Sequence, residues 1–187
     1  MRVLPTPDCV IGSGASQQLP GALRDLGAKR VLVVTDPGVI KAGIYEKIKT
    51  ALAEARVQIE LCDRVQPDPS TTFVQSVAVE ARQARVDAVI GLGGGSSIDT
   101  AKMAAALVAN QRDVADYLGG APLAAEALPI LAVPTTAGTG SEATHIAILS
   151  DEQEQVKKGL VSVRIMPKYA FLDPELTLGL PPAITAS

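Results

Sequence analysis

The chain has 187 residues, 47% hydrophobic and 20% charged, with a net charge of −3: the composition of one soluble globular domain with a real core. Scattered lysines and arginines and an aromatic content of 3% exclude a nucleic-acid partner, which needs a basic surface and stacking platforms. No apolar run approaches the ~18 residues that cross a bilayer, the start MRVLPTPDCVIG is too broken for a signal peptide, and Cys9 and Cys62 lack metal-like spacing, so the chain reads as reduced and cytoplasmic.

In chain order, the first strand is followed by GSGASQQ, a G-x-G-x-x-Q that lacks the third glycine of a dinucleotide fingerprint and reads as a turn. Leu19, Leu23 and Leu26 form a short helical stripe stopped by Gly27. RVLVVTD (30–36), VQIELCD (57–63), DAVIGLG (87–93) and LPILAVP (128–134) are nearly continuous apolar runs, the pattern of buried parallel strands. Between them, Ile44, Ile48, Leu52 and Ala55 recur at helical spacing. So do Phe73, Val77, Ala81 and Ala84 behind Ser70 as a cap, and SIDTAKMAAALVA (97–109) is also helical. The alternation predicts an α/β fold, a Rossmann-like, doubly wound and mostly parallel sheet. After about residue 143 the rhythm changes: THIAILS, KGLVSV and YAFLD are strand-like with no helix between them, which predicts a hairpin or edge strands.

Two loops carry the chemistry. Gly93, Gly94 and Gly95 end a strand and open a helix, where bare amides and the positive end of the helix dipole favour an anion such as a pyrophosphate. Ser96 and Asp99 have capping-box spacing, which accounts for them but not for the glycines. Asp99 would repel a phosphate, so a ribose or an amide suits it better. The loop is not a G-x-x-x-x-G-K-[ST] P-loop. The second loop, VPTTAGTGSEAT (133–144), offers the hydroxyls of Thr135, Thr136, Thr139 and Ser141 around two glycines. Asp36 ends a strand and reads equally as a ribose ligand or as an N-cap before Pro37. Asp68, by itself, is a residue of a proline turn.

GGGSSIDTAK, then PTTAGTGSEAT, then LDPELTLGLPPAITA resemble, in order and spacing, the iron-containing (group III) alcohol dehydrogenase family, and only its N-terminal dinucleotide-binding domain. The resemblance implies an NAD(P)-dependent oxidoreductase acting on a small alcohol, or on the aldehyde or ketone. It places Gly94, Gly95 and Ser96 on the pyrophosphate. Asp36 falls on the adenosine ribose, favouring NAD over NADP, and Asp68 near the adenine side. Asp99 lies beside the cofactor, Thr135, Thr136, Thr139 and Ser141 along it, and Ile148 and Lys157 on two strands flanking it. It further implies a metal, Fe2+ or Zn2+, held by one aspartate and three histidines of a helical C-terminal domain that this chain lacks. The single histidine, His145, reads as a polar side chain at a strand start, so no catalytic or metal-binding residue is expected here.

The expected organisation is a dinucleotide-binding domain over residues 1–176, then a hinge at 177–187, where Pro181 and Pro182 mark the junction with a helical domain. The expectation is a piece of a longer enzyme that binds NAD weakly, does not turn over alcohol by itself, and self-associates through its uncovered face. Rival readings are a relative of the zinc glycerol dehydrogenases and dehydroquinate synthases, a hydroxyacid–oxoacid transhydrogenase, or a non-catalytic nucleotide-binding module.

Overall fold

A strand with branched apolar residues on both faces needs cover on both faces, and the fold supplies it. The structure, a computed structural model, describes residues 5–180, with Glu54 and Ala55 described by backbone alone. Six strands form one parallel sheet: β1 (Asp8–Ile11), β2 (Arg30–Val34), β3 (Gln58–Cys62), β4 (Ala88–Gly93), β5 (Ile130–Pro134) and β8 (Tyr169–Leu172), in the order β1-β8-β5-β4-β2-β3. β6 (Ile146–Asp151) and β7 (Val156–Val161) form a separate antiparallel hairpin. In β2, Val31 and Val33 join the core on one side of the sheet, and Leu32 and Val34 join the other.

The helices are α1 (Leu19–Asp25), α2 (Pro37–Lys41), α3 (Ile44–Ala55), α4 (Thr71–Ala84), α5 (Gly95–Ala109) and α6 (Val114–Leu118). The predicted stripes are the buried ones: Ile48 and Leu52 of α3 lie against one face, Val77 and Ala81 of α4 on the other. Ser70 caps α4, its hydroxyl accepting from the Phe73 amide at 3.2 Å. Gly27 follows α1 at φ 67, the left-handed step that ends a helix. α5 is the exception to one-sided burial. Small Ala104, Ala105 and Ala106 let it sit between the sheet, α4 and the hairpin, and it is buried from Ser97 to Leu107. Gly91 allows that approach, because a Cβ there would meet the Ile98 Cα at 3.0 Å. No helix among the described residues is long and apolar enough to cross a membrane.

One feature differs from the sequence reading. YAFLD is neither a hairpin arm nor an edge: β8 lies inside the sheet, parallel to both β1 and β5. The β6–β7 hairpin and a 3-10 turn at Val163–Ile165 do the work of the crossover helix that a parallel return requires. GSGASQQ is a turn, as expected, and its occupant is internal. Asp173 accepts from the amides of Gly14 and Ser16, both at 3.1 Å, and from the Ser16 hydroxyl at 2.6 Å. Burial raises the Asp173 carboxyl, but these hydrogen bonds outweigh it and hold the group below its ordinary range. Amides that could have bound a phosphate are thereby consumed. The proposed hinge at Pro181 and Pro182 lies outside the described residues.

The chain reverses direction between neighbours β2 and β4. From β2 it crosses one face through α3 to β3, and from β4 it crosses the other face through α5 to β5. Such a switch point opens a crevice beyond the carboxyl ends of the two strands.

Candidate functional site

That crevice is a cavity of about 910 Å³ whose lining includes Asp36, Gly94, Gly95, Ser96, Thr136 and Thr139, six of the residues singled out in the sequence. On its floor, α5 starts without a side-chain cap. The N-cap residue is Gly94, extended at φ −79, and no side chain accepts from the first turn. The expected Ser96–Asp99 capping box therefore does not form, because the helix starts too early and Ser96 lies inside its first turn. The amides of Gly95, Ser96 and Ser97 have no acceptor among the described residues. Three free donors at the positive end of a 15-residue helix make an anion site.

Of the two readings of Asp36, the N-cap is the one observed. Its Oδ1 caps α2, accepting from the amides of Gly38 at 2.9 Å and Val39 at 3.1 Å, while its Oδ2 lies 3.4 Å from the Ser97 hydroxyl at the cavity wall. It also borders a second, mostly apolar chamber of about 530 Å³, which shares Gly94 and Thr136 with the first and adds Thr135, Val39 and Leu176. The Thr136 hydroxyl is buried close to Gly94 and has no partner among the described residues. Thr139 Oγ1 accepts from the Ser141 amide at 3.4 Å, and Ser141 stands beside Gly95. The hydroxyl-rich loop is thus wrapped over the glycine turn.

Five of the expected residues, Asp68, Asp99, Ser141, Ile148 and Lys157, line neither chamber. Asp68, at φ 55, forms an exposed ion pair with Lys157, Oδ1 to Nζ 2.6 Å, at the rim beyond the lining residue Pro67. Ile148 is half exposed on the hairpin. Asp99 is buried behind the loop, and its partner is an amide of the protein itself: Oδ2 accepts from Ile148 N–H at 3.0 Å. His145 immediately precedes β6, with its carbonyl accepting from the Ser162 amide at 3.0 Å, in keeping with a structural reading.

Lys102 was not singled out from the sequence, although its i, i+3 spacing from Asp99 on a helix was a usable signal. It is wholly inaccessible. Its Nζ donates to the carbonyls of Thr144 and Ile146, both at 2.8 Å, and lies 3.9 Å from Asp99 Oδ1. Together the two side chains fasten the helix that carries the anion site to the hairpin that carries Ile148 and Lys157. Burial raises the Asp99 carboxyl against the opposing Ile148 amide and Lys102 charge. Burial also pushes Lys102 down to about 8 from 10.5, against the attraction of Asp99 and Glu142. A lysine depressed in the folded state binds fewer protons folded than unfolded between those two values. Stability should therefore rise with pH from about 8 to 10.5 by at most ~1.4 kcal/mol per unit. Urea unfolding across that range checks it, and a Lys102→Met variant should lose the slope.

Comparison with known proteins adds three findings. A family model described as iron-containing alcohol dehydrogenase matches residues 5–174. Alcohol dehydrogenase 4 of Schizosaccharomyces pombe is 37% identical over 178 residues, which are 95% of this chain and 42% of that protein. Two solved structures superpose on the whole chain: a 1,3-propanediol oxidoreductase (34% identity, TM-score 0.94, 49% of its length) and sulfoacetaldehyde reductase from Bifidobacterium kashiwanohense in complex with NAD+ (31%, 0.91, 50%). The chain spans about half the length of the relatives it matches.

Proposed function

This chain belongs to the iron-containing alcohol dehydrogenase family, and from that premise we propose that it is the cofactor-holding part of an NAD-dependent alcohol dehydrogenase. The observation that carries the reading is the set of three unaccepted amides, Gly95 to Ser97, opening on the crevice at the switch point. They would take the cofactor's diphosphate. Asp36, bordering both chambers, would take the adenosine ribose, with the apolar chamber beside Val39 and Leu176 suited to the adenine. The other half of the cofactor would run under Thr136 and Thr139 toward the Asp68–Lys157 pair and Ile148. When bound, NAD supplies the hydride acceptor for a small alcohol, and NADH the donor for the aldehyde or ketone. The chain's own residues hold and orient the cofactor, and none is placed as catalytic.

Among the described residues no three His, Cys, Asp or Glu side chains come together to hold an ion. We set the cofactor-binding domain at residues 1–176, ending where Leu176 is buried and before Leu178, which is exposed. Both cysteines are free, in keeping with a cytoplasmic setting. The exposed apolar hairpin residues Ile148 and Val161 are the surface through which the chain would self-associate.

Calorimetric titration with NAD and NADP tests the assignment of Asp36. The parent should prefer NAD by at least about tenfold, since a carboxylate repels a 2′-phosphate. Asp36→Asn keeps a capping side chain and removes the charge, so the preference should shrink with little change in stability. An unchanged NAD/NADP ratio would remove Asp36 from the ribose.

A further inference from the structure

At the opposite end of the sheet, where β2, β3 and β4 begin, lies a cavity of about 510 Å³ lined by Lys29, Arg30, Arg56, Gln58, Arg85 and Asp87. We propose that this cavity binds a phosphate group, free or as a monoester, independently of the cofactor crevice.

The argument is one of charge balance. Four cations face a single carboxylate in a chain whose net charge is −3. Among the described residues none of Lys29, Arg56 and Arg85 has an ion-pair partner. Asp87 is occupied with main chain, accepting from the Lys29 amide at 2.9 Å and the Arg30 amide at 3.0 Å. Arg30 is pinned, with Nε donating to Gln58 Oε1 at 2.8 Å and Nη1 to the Ala84 carbonyl. Arg56 and Arg85 are the C-caps of α3 and α4, and each helix end adds about half a negative charge. After Asp87 and those two ends are subtracted, about two positive charges remain, enough to balance the roughly two negative charges of one phosphate monoester near neutral pH. Guanidinium forks suit a tetrahedral oxyanion, which presents oxygens to several donors at once where a carboxylate presents two.

The choice of residue points the same way. Arg56 and Arg85 both sit in the left-handed region, at φ 56, where glycine is free and a side chain costs energy. Both bear the side chain that a phosphate would use. The same geometry supplies the test, because glycine at these positions removes the charge and relieves the backbone.

The experiment is a titration of the chain at low ionic strength with inorganic phosphate and, separately, methyl phosphate, followed by backbone amide chemical shifts. Saturable shifts should appear at residues 29–30, 56 and 85–87, with affinity weakened at least about fivefold in the double variant Arg56→Gly/Arg85→Gly. That variant should melt at or above the parent's temperature. Equal affinity for the two probes means the phosphate alone is read, and tighter methyl phosphate means the cavity also holds the ester. No saturation, unweakened binding by the double variant, or shifts confined to Gly95–Ser97 would overturn the proposal. Repeating the titration with NAD present separates the two sites, since failure to bind NAD would leave the shifts at residues 56 and 85 intact.

Discussion

Lys102→Met is expected to destabilise the chain by about 3 kcal/mol, the scale of removing one partner from a buried charged pair. Methionine fills much of the same volume but leaves the carbonyls of Thr144 and Ile146 without their donor and the buried Asp99 without its cation. The loss should be local before it is global, with β6 and β7 losing amide-exchange protection ahead of β2 and β4. NAD affinity should fall at least about tenfold, because the hairpin that carries Ile148 and Lys157 would no longer be fixed to α5. Denaturant unfolding, amide exchange and calorimetry read the three effects. Adding Asp99→Asn should cost less than the two single losses combined, since the amide side chain can still accept from Ile148 N–H and no longer needs a counter-charge.

Gly93→Ala should be nearly as severe, at about 3 kcal/mol, through strain and overpacking together. Gly93 has φ 142, which side-chain-bearing residues rarely adopt. A Cβ there would stand 2.7 Å from Ser97 Oγ and 2.9 Å from Asp36 Oδ2. Relief would require the first turn of α5 or the end of β2 to move, and both belong to the crevice. Thermal unfolding and NAD titration should therefore fall together. Gly95→Ala is the contrasting case: its Cβ would lie no nearer than 3.4 Å to Thr139 and Ser141, so stability should survive while the cradle narrows.

Much of this was legible because burial on both faces leaves a plain mark. Val31 to Val34 and Ala88 to Leu92 read as parallel strands since neither face could be polar. The site was legible where one residue type answers one geometric need, as Gly93 to Ser96 does at the start of α5. Four things were hidden. The start of α5 could not be fixed to the residue, and two residues decide between a capping box and three free amides. β8 was misjudged because a hairpin replaced the helix that normally announces a parallel return. Lys102 vanished into an alanine-rich helix, where a long aliphatic stem is unremarkable until its carbonyl acceptors 42 and 44 residues away are known. The Asp68–Lys157 pair, 89 residues apart, is hidden for the same reason.

The most direct measurement is a crystal structure of the chain grown with excess NAD. The diphosphate should lie within hydrogen-bond reach of the Gly95, Ser96 and Ser97 amides, with a ribose on Asp36. Ordered cofactor at any other place, or a diphosphate held by side chains while those three amides stay bonded to water, would contradict it.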